Sequence, residues 1–165
     1  MSAPAVRRVV TGHDSEGRAV IISDKILGEP SGMGRQIWST LTSPADNSDE
    51  TDGGLVKVGP SVPGGTVFRV GEFEPGLRSP MHRTRSIDYG LVLRGTLGLE
   101  LDSGEQVRLN AGDVFVQRGT NHVWFNDTEE PCVVAFILID AEPVKIGDTV
   151  LETPPPSLPA PNGSR

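Results

Sequence analysis

Apolar and polar side chains alternate with a period of two through the middle of the chain, and that rhythm predicts strands. It is sharpest in residues 91–102, where Leu97, Leu99 and Leu101 are separated by Gly98 and Glu100. Residues 66–73 alternate in the same way after the Pro-Gly-Gly turn at 63–65. Asp102-Ser103-Gly104-Glu105 closes a hairpin; Val107 and Leu109, a turn at 110–113, and residues 114–116 and 122–126 continue a meander. The run 133–139 is apolar throughout and β-branched in part, as in a strand buried on both faces.

Near the start, Val9 and Val10, the turn residues 14–17 and the apolar run 19–22 predict a small hairpin. Residues 23–40 mix four turn-forming residues, Gly28, Pro30, Gly32 and Gly34, with Ile37 and Trp38, and are expected to form an irregular arm crossing a surface. Residues 42–54 have almost no apolar side chain and predict a mobile loop. The tail from residue 151 is Pro-rich and lacks a core pattern. The expected organisation is therefore residues 1–54 packing on a barrel of residues 55–150, followed by a disordered tail.

Composition narrows the class. A chain of 165 residues with 20 glycines and 14 prolines suits one all-β domain of short strands joined by turns. A formal charge of -7, with no stripe of Lys or Arg, argues against nucleic acid as a partner. No apolar stretch near the N-terminus has the length of a signal peptide or membrane span, so the expected location is cytoplasmic. Cys132 is the only cysteine; it heads an apolar run and is assigned no role.

The chemistry concentrates around two of the three histidines, His82 and His122, which fall in the strand-rich body. In extended chain His82, Thr84 and Asp88 share one face, as do His122, Trp124 and Asn126. A histidine facing a carboxylate inside a barrel can exchange a proton with a bound molecule. Arg69, in mid-strand, is suited either to a substrate carboxylate or to a charged surface ladder. Trp124 is expected at the core or pocket wall, and Asn126 is a candidate for substrate contact or a hydrogen-bonding strut. Arg83 and Arg85, out of phase with His82, should point away from the pocket, and Arg118 should pair with an acid.

These residues resemble the cupin superfamily. Gly76, His82, Thr84, Asp88 and Gly95 stand at the spacings of its first motif, with Tyr89 beside the acid, and residues 112–122 resemble its second motif. The resemblance covers roughly residues 64–140 and implies a double-stranded β-helix, or jelly-roll, barrel that pairs as a homodimer. Three departures bear on chemistry. Thr84 replaces the family's second histidine, Asp88 replaces the longer glutamate, and Arg118 with a shorter turn replaces the motif's proline. What survives, His82, Asp88 and His122, is two imidazoles and a carboxylate, the set of a facial triad for iron, which zinc or manganese would also accept.

The expected function is a small-molecule enzyme without a redox cofactor: a lyase of the dehydratase or decarboxylase kind, or an isomerase, acting on an oxygenated carboxylate or ketone. In that reading His122 or His82 is the acid or base, Asp88 orients it, and Thr84 or Tyr89 hydrogen-bonds substrate oxygen. The alternatives are an iron-dependent dioxygenase holding one divalent metal and a metabolite-binding cupin without catalysis.

Overall fold

The strand with the longest apolar run occupies the centre of the main sheet in the computed structural model, which describes residues 5–28 and 34–152. Strand β10 (Cys132–Asp140) pairs antiparallel with β4 (Thr66–Phe73) on one side and β5 (Ser86–Arg94) on the other. Strands β3 (Arg35–Thr40) and β8 (Val114–Arg118) complete a five-stranded sheet of order β3-β4-β10-β5-β8. A second sheet of order β7-β6-β9 is built from β6 (Thr96–Leu101), β7 (Gln106–Asn110) and β9 (His122–Phe125).

The main core lies between these sheets. Val92, Leu97, Trp124, Cys132 and Val134 are buried there, with Phe73, Leu99, Phe115 and Phe136 packed against them. Period-two alternation explains the division: on β10 Cys132, Val134, Phe136 and Leu138 face inward, while Val133, Ala135 and Ile137 face out. The chain passes between sheets at Gly95, whose φ of 75° favours glycine and where a Cβ would lie 2.7 Å from the Pro131 carbonyl oxygen. Two strands thus stand where the alternation of residues 91–102 reads as one.

Outside the main sheet, strands β1 (Val6–His13) and β2 (Ala19–Leu27) form the expected N-terminal hairpin, longer than the pattern suggested. Val6 and Leu27 at its base cover Ile37, Val70, Val133 and Ala135. The arm expected over residues 23–40 is largely regular: β2 extends to Leu27, and β3 joins the main sheet beside β4. Burial alternates along β3, but two of its three buried positions, Arg35 and Ser39, are polar, which hides the strand from a hydrophobic pattern. Residues 29–33 and the tail from 153 lie outside the described residues.

The last residues of the loop expected to be mobile, 52–54, are clasped by side chains. Arg8, buried within the hairpin, pairs with Asp52 at 2.5 Å and donates to the Ile37 carbonyl. Gln36 donates to the carbonyls of Gly53 and Val56, and Ser39 donates to that of Gly53. Residues 52–62 thereby cross the inner side of the sheet, where Val58 and Val62 pack on Val67, Phe136 and Leu138. A short hairpin of β11 (Lys145–Ile146) and β12 (Thr149–Val150) follows β10. Among the described residues no helix is long and apolar enough to cross a membrane.

Candidate functional site

The two histidines meet because residues 76–82 run antiparallel beside β9. Backbone bonds link Gly76 and Leu77 to Asn126, Ser79 to Trp124, and His82 to His122 in both directions at 2.9 and 2.8 Å. Pro80 lacks an N–H, so this stretch cannot become a regular strand, yet its ladder is complete enough to set His82 opposite His122. Their ring centroids are 4.3 Å apart. Trp124, the inward residue two along β9, packs edge-on against the His122 ring at 5.1 Å.

His122 is 1% exposed. Burial pulls its pKa down from 6.5 to about 4; the Thr120 carbonyl opposes this and the nearby His82 adds to it, so the ring is neutral at pH 7. Its Nδ1 lies 2.9 Å from the Thr120 carbonyl oxygen and 2.7 Å from the Gln117 amide nitrogen. A protonated Nδ1 donates to the carbonyl, whereas a bare Nδ1 accepts from the amide. The ring therefore has a partner in either tautomer, and its Nε2 is a proton acceptor in one and a hydrogen-bond donor in the other. At His82, Nδ1 lies 2.9 Å from the Pro80 carbonyl oxygen and donates to it, leaving Nε2 as the acceptor of the neutral ring.

Asp88 is buried on the inner face of β5, across the ladder from Gln117. The Ser86 hydroxyl donates to its Oδ1 at 2.5 Å, and the Thr84 hydroxyl donates to Oδ2 at 3.4 Å. Burial raises the pKa of the carboxyl, against the pull of the two hydroxyls and His82. Asp88 makes no hydrogen bond to either imidazole, so the expected orienting role passes to Gln117 and the Thr120 carbonyl for His122, and to the Pro80 carbonyl for His82. Gln117 is the inward residue that joins the Asp88 strand to His122. Continuing the Phe115 alternation by two positions would have found it, just as counting back from Asp88 would have found Ser86.

Arg69 also faces inward, beside Phe136. It is 9% exposed, and its Nη2 reaches only the backbone carbonyls of Val58 and Gly59. Its Nε has no partner, it forms no ion pair among the described residues, and burial lowers its pKa. This is a desolvated cation without a carboxylate, and not a member of a surface ladder.

Two further expectations change, at Tyr89 and Arg118, while Asn126 takes the strut role of the two expected for it. Tyr89 lies between inward Asp88 and Gly90, so it faces outward and is 46% exposed, out of reach of anything bound inside. With Leu91, Val114 and Val116 it forms an exposed apolar stretch on the outer side of the sheet. Asn126 is a strut: its amide donates to the carbonyls of Phe73 and Glu130, and its oxygen accepts from the Thr128 N–H and hydroxyl. Arg118 is exposed and pairs with no acid among the described residues. Cys132 is a buried free thiol whose pKa is pushed up to about 11 by burial, consistent with its having no assigned role.

The donor set does not fit a metal as described. No three His, Cys, Asp or Glu side chains among the described residues stand close enough together to hold an ion, so His82, Asp88 and His122 are not gathered as a facial triad. The cause is visible at Asp88. The shorter side chain is held back against Ser86 and Thr84, and threonine occupies the position that would have supplied another imidazole.

These features define an all-β jelly-roll barrel with a buried, neutral histidine, a second histidine in contact with it and a sequestered carboxyl. Residues 69–139 match the cupin domain family. A cupin-domain-containing oxidoreductase of Aspergillus ruber is 38% identical over 89% of this chain and 78% of its own length. A phomopsin biosynthesis cluster protein of Diaporthe leptostromiformis is 40% identical over 87% of this chain and 83% of its own length. A cupin-domain-containing oxidoreductase of Hypocrea virens is 36% identical over 88% and 83%. The chain belongs to the cupin family. Among solved structures it is similar to a cupin 2 conserved barrel domain protein of Salinispora arenicola, at 24% identity and a TM-score of 0.44, over 53% of this chain and 72% of that one.

Proposed function

We propose that the protein is a small-molecule enzyme that moves a proton on an oxygenated carboxylate or ketone, as a dehydratase, decarboxylase or isomerase does. The observation that carries this reading is the His122 ring, neutral at pH 7 and partnered at Nδ1 in both tautomers. Such a ring takes a proton at Nε2 and returns one there without losing its anchor. His82, in ring contact with His122, is the second exchange group. Arg69, desolvated and lacking a carboxylate, is the anchor for an acidic substrate group. Trp124 walls the site, and the hydroxyls of Thr84 and Ser86 hold Asp88 in place. The relatives' names, which include oxidoreductases and products of a biosynthetic cluster, support an enzyme of small-molecule metabolism.

The test is solvent-deuterium incorporation followed by proton NMR, over a panel of small 2- and 3-oxygenated acids and ketones, with wild type and His122→Asn. Exchange or water loss that falls by about a hundredfold or more in the variant is the expected result. Turnover undiminished in His122→Asn would overturn the reading.

A second reading rests on the name oxidoreductase borne by two of the relatives described. In it the protein is an iron-dependent dioxygenase, whose one ferrous ion would be held by His82, Asp88 and His122 only if Asp88 left its two hydroxyl donors, and which would supply oxygen activation. Elemental mass spectrometry of untagged protein, with oxygen uptake measured on the same panel, separates the two. Near-stoichiometric iron and substrate-dependent oxygen consumption favour the second reading, and turnover without either favours the first.

A further inference from the structure

Beside the start of β5, the strand that carries Asp88, lies a cavity of about 390 Å³ bounded by the end of β8 and the segment that follows β10, with Thr84 and Ser86, the two hydroxyl donors to Asp88, in its wall. Four of its lining residues are cations: Arg83, Arg85, Arg118 and Lys145. The one acid in its wall is Glu142. None of the four forms an ion pair among the described residues, whereas eight ion pairs form elsewhere among them.

Their other bonds are few. Arg83 donates one long bond, 3.3 Å, to the Glu152 carbonyl, and its Nε is buried without a partner. The Arg85 side chain donates at 3.4 Å to the Ala141 carbonyl, and the side chains of Arg118 and Lys145 make no hydrogen bond among the described residues. Residues 153–165 contain no Asp or Glu.

Four like charges around one small cavity repel one another, and in a chain of net charge -7 they are not part of a general basic surface. Guanidinium groups offer paired N–H donors suited to oxyanions, and here most of those donors are unused. We propose that this cavity is a binding site for a compact polyanion, one bearing a phosphate or clustered carboxylates. Arg118 and Lys145 are its free cations. Arg83 and Arg85 are partly spent on holding the Ala141 and Glu152 carbonyls, and so fix the cavity's wall as well as its charge.

The test is titration calorimetry of the full chain with inorganic phosphate and, separately, citrate, at low and constant ionic strength with chloride as the reference salt. Saturable one-to-one binding of either anion is expected. Arg118→Gln, an exposed change that leaves the core intact, should weaken it by about tenfold, as loss of one charged hydrogen-bonding partner implies. Arg94→Gln, which removes a cation elsewhere on the sheet, should leave the affinity within twofold. Preference for phosphate or for citrate identifies the ligand's acidic group. No saturable heat with either anion, equal affinity in Arg118→Gln, or equal loss in Arg94→Gln would each overturn the proposal.

Discussion

The neutral His122 ring makes the protein acid-labile in a way that can be measured residue by residue. In the unfolded chain this imidazole titrates near 6.5, and in the fold it does so near 4. Between those values the unfolded state binds the extra proton, so stability rises with pH across the window and is lost as pH falls through it. At about 1.4 kcal/mol per pH unit, the loss is about 2 kcal/mol by pH 5 and about 3 kcal/mol by pH 4. Asp88 acts in the opposite sense: its raised pKa lets the folded state hold a proton, favouring the fold at low pH. The His122 contribution is therefore isolated as a difference. Urea unfolding of wild type and His122→Asn, followed by tryptophan fluorescence from pH 7.5 to 4.5, should show the advantage of wild type shrinking by that amount as the pH drops. A wild-type advantage that stays constant with pH, or a His122 ring that titrates near 6.5 by NMR, would refute the reasoning and with it the neutral ring on which the proton-transfer reading depends.

Other parts of the fold give independent checks. Ser86→Ala removes the hydroxyl donating to Asp88 at 2.5 Å, so the Asp88 carboxyl should titrate still higher by carbon NMR and the fold should lose about 1.5–3 kcal/mol at pH 7. Asp52→Asn leaves the buried Arg8 guanidinium without its counter-charge; about 3 kcal/mol of stability should be lost in denaturant titration, and proteolysis near residues 52–62 should accelerate. Gly95→Ala meets the Pro131 carbonyl at 2.7 Å in a left-handed conformation and should cost about 1–3 kcal/mol, whereas Gly104→Ala, at φ 86° but in open space, should cost less.

The sheet interior was legible because alternation is a local signal: the inward Leu97 and Leu99, and the apolar run from Val133, show their faces in a few residues. The meeting of His82 with His122 could be anticipated from motif spacing, although their contact depends on a backbone ladder that Pro80 hides from any strand pattern. Less visible were features that rest on polar side chains reaching backbone far away in sequence. Residues 42–54 look unanchored until Arg8, Gln36 and Ser39 are seen to grip their end. The side chain of Asp88 was misjudged for a related reason. Its position was clear, but its engagement by Ser86 and Thr84, and not by a histidine, is a matter of short-range geometry that residue type alone does not specify.

The central place of β10 in the main sheet has a consequence for synthesis. Strands β4 and β5 are neighbours in sequence but not in the sheet, because the strand that joins them is made last of the three. A growing chain cannot close this sheet until residue 140 has left the ribosome, and until then the inner faces of β4 and β5 have no lasting cover. Completion of the barrel is therefore a late, long-range event, and a chain cut short before Cys132 would lack the strand on which both halves of the sheet depend.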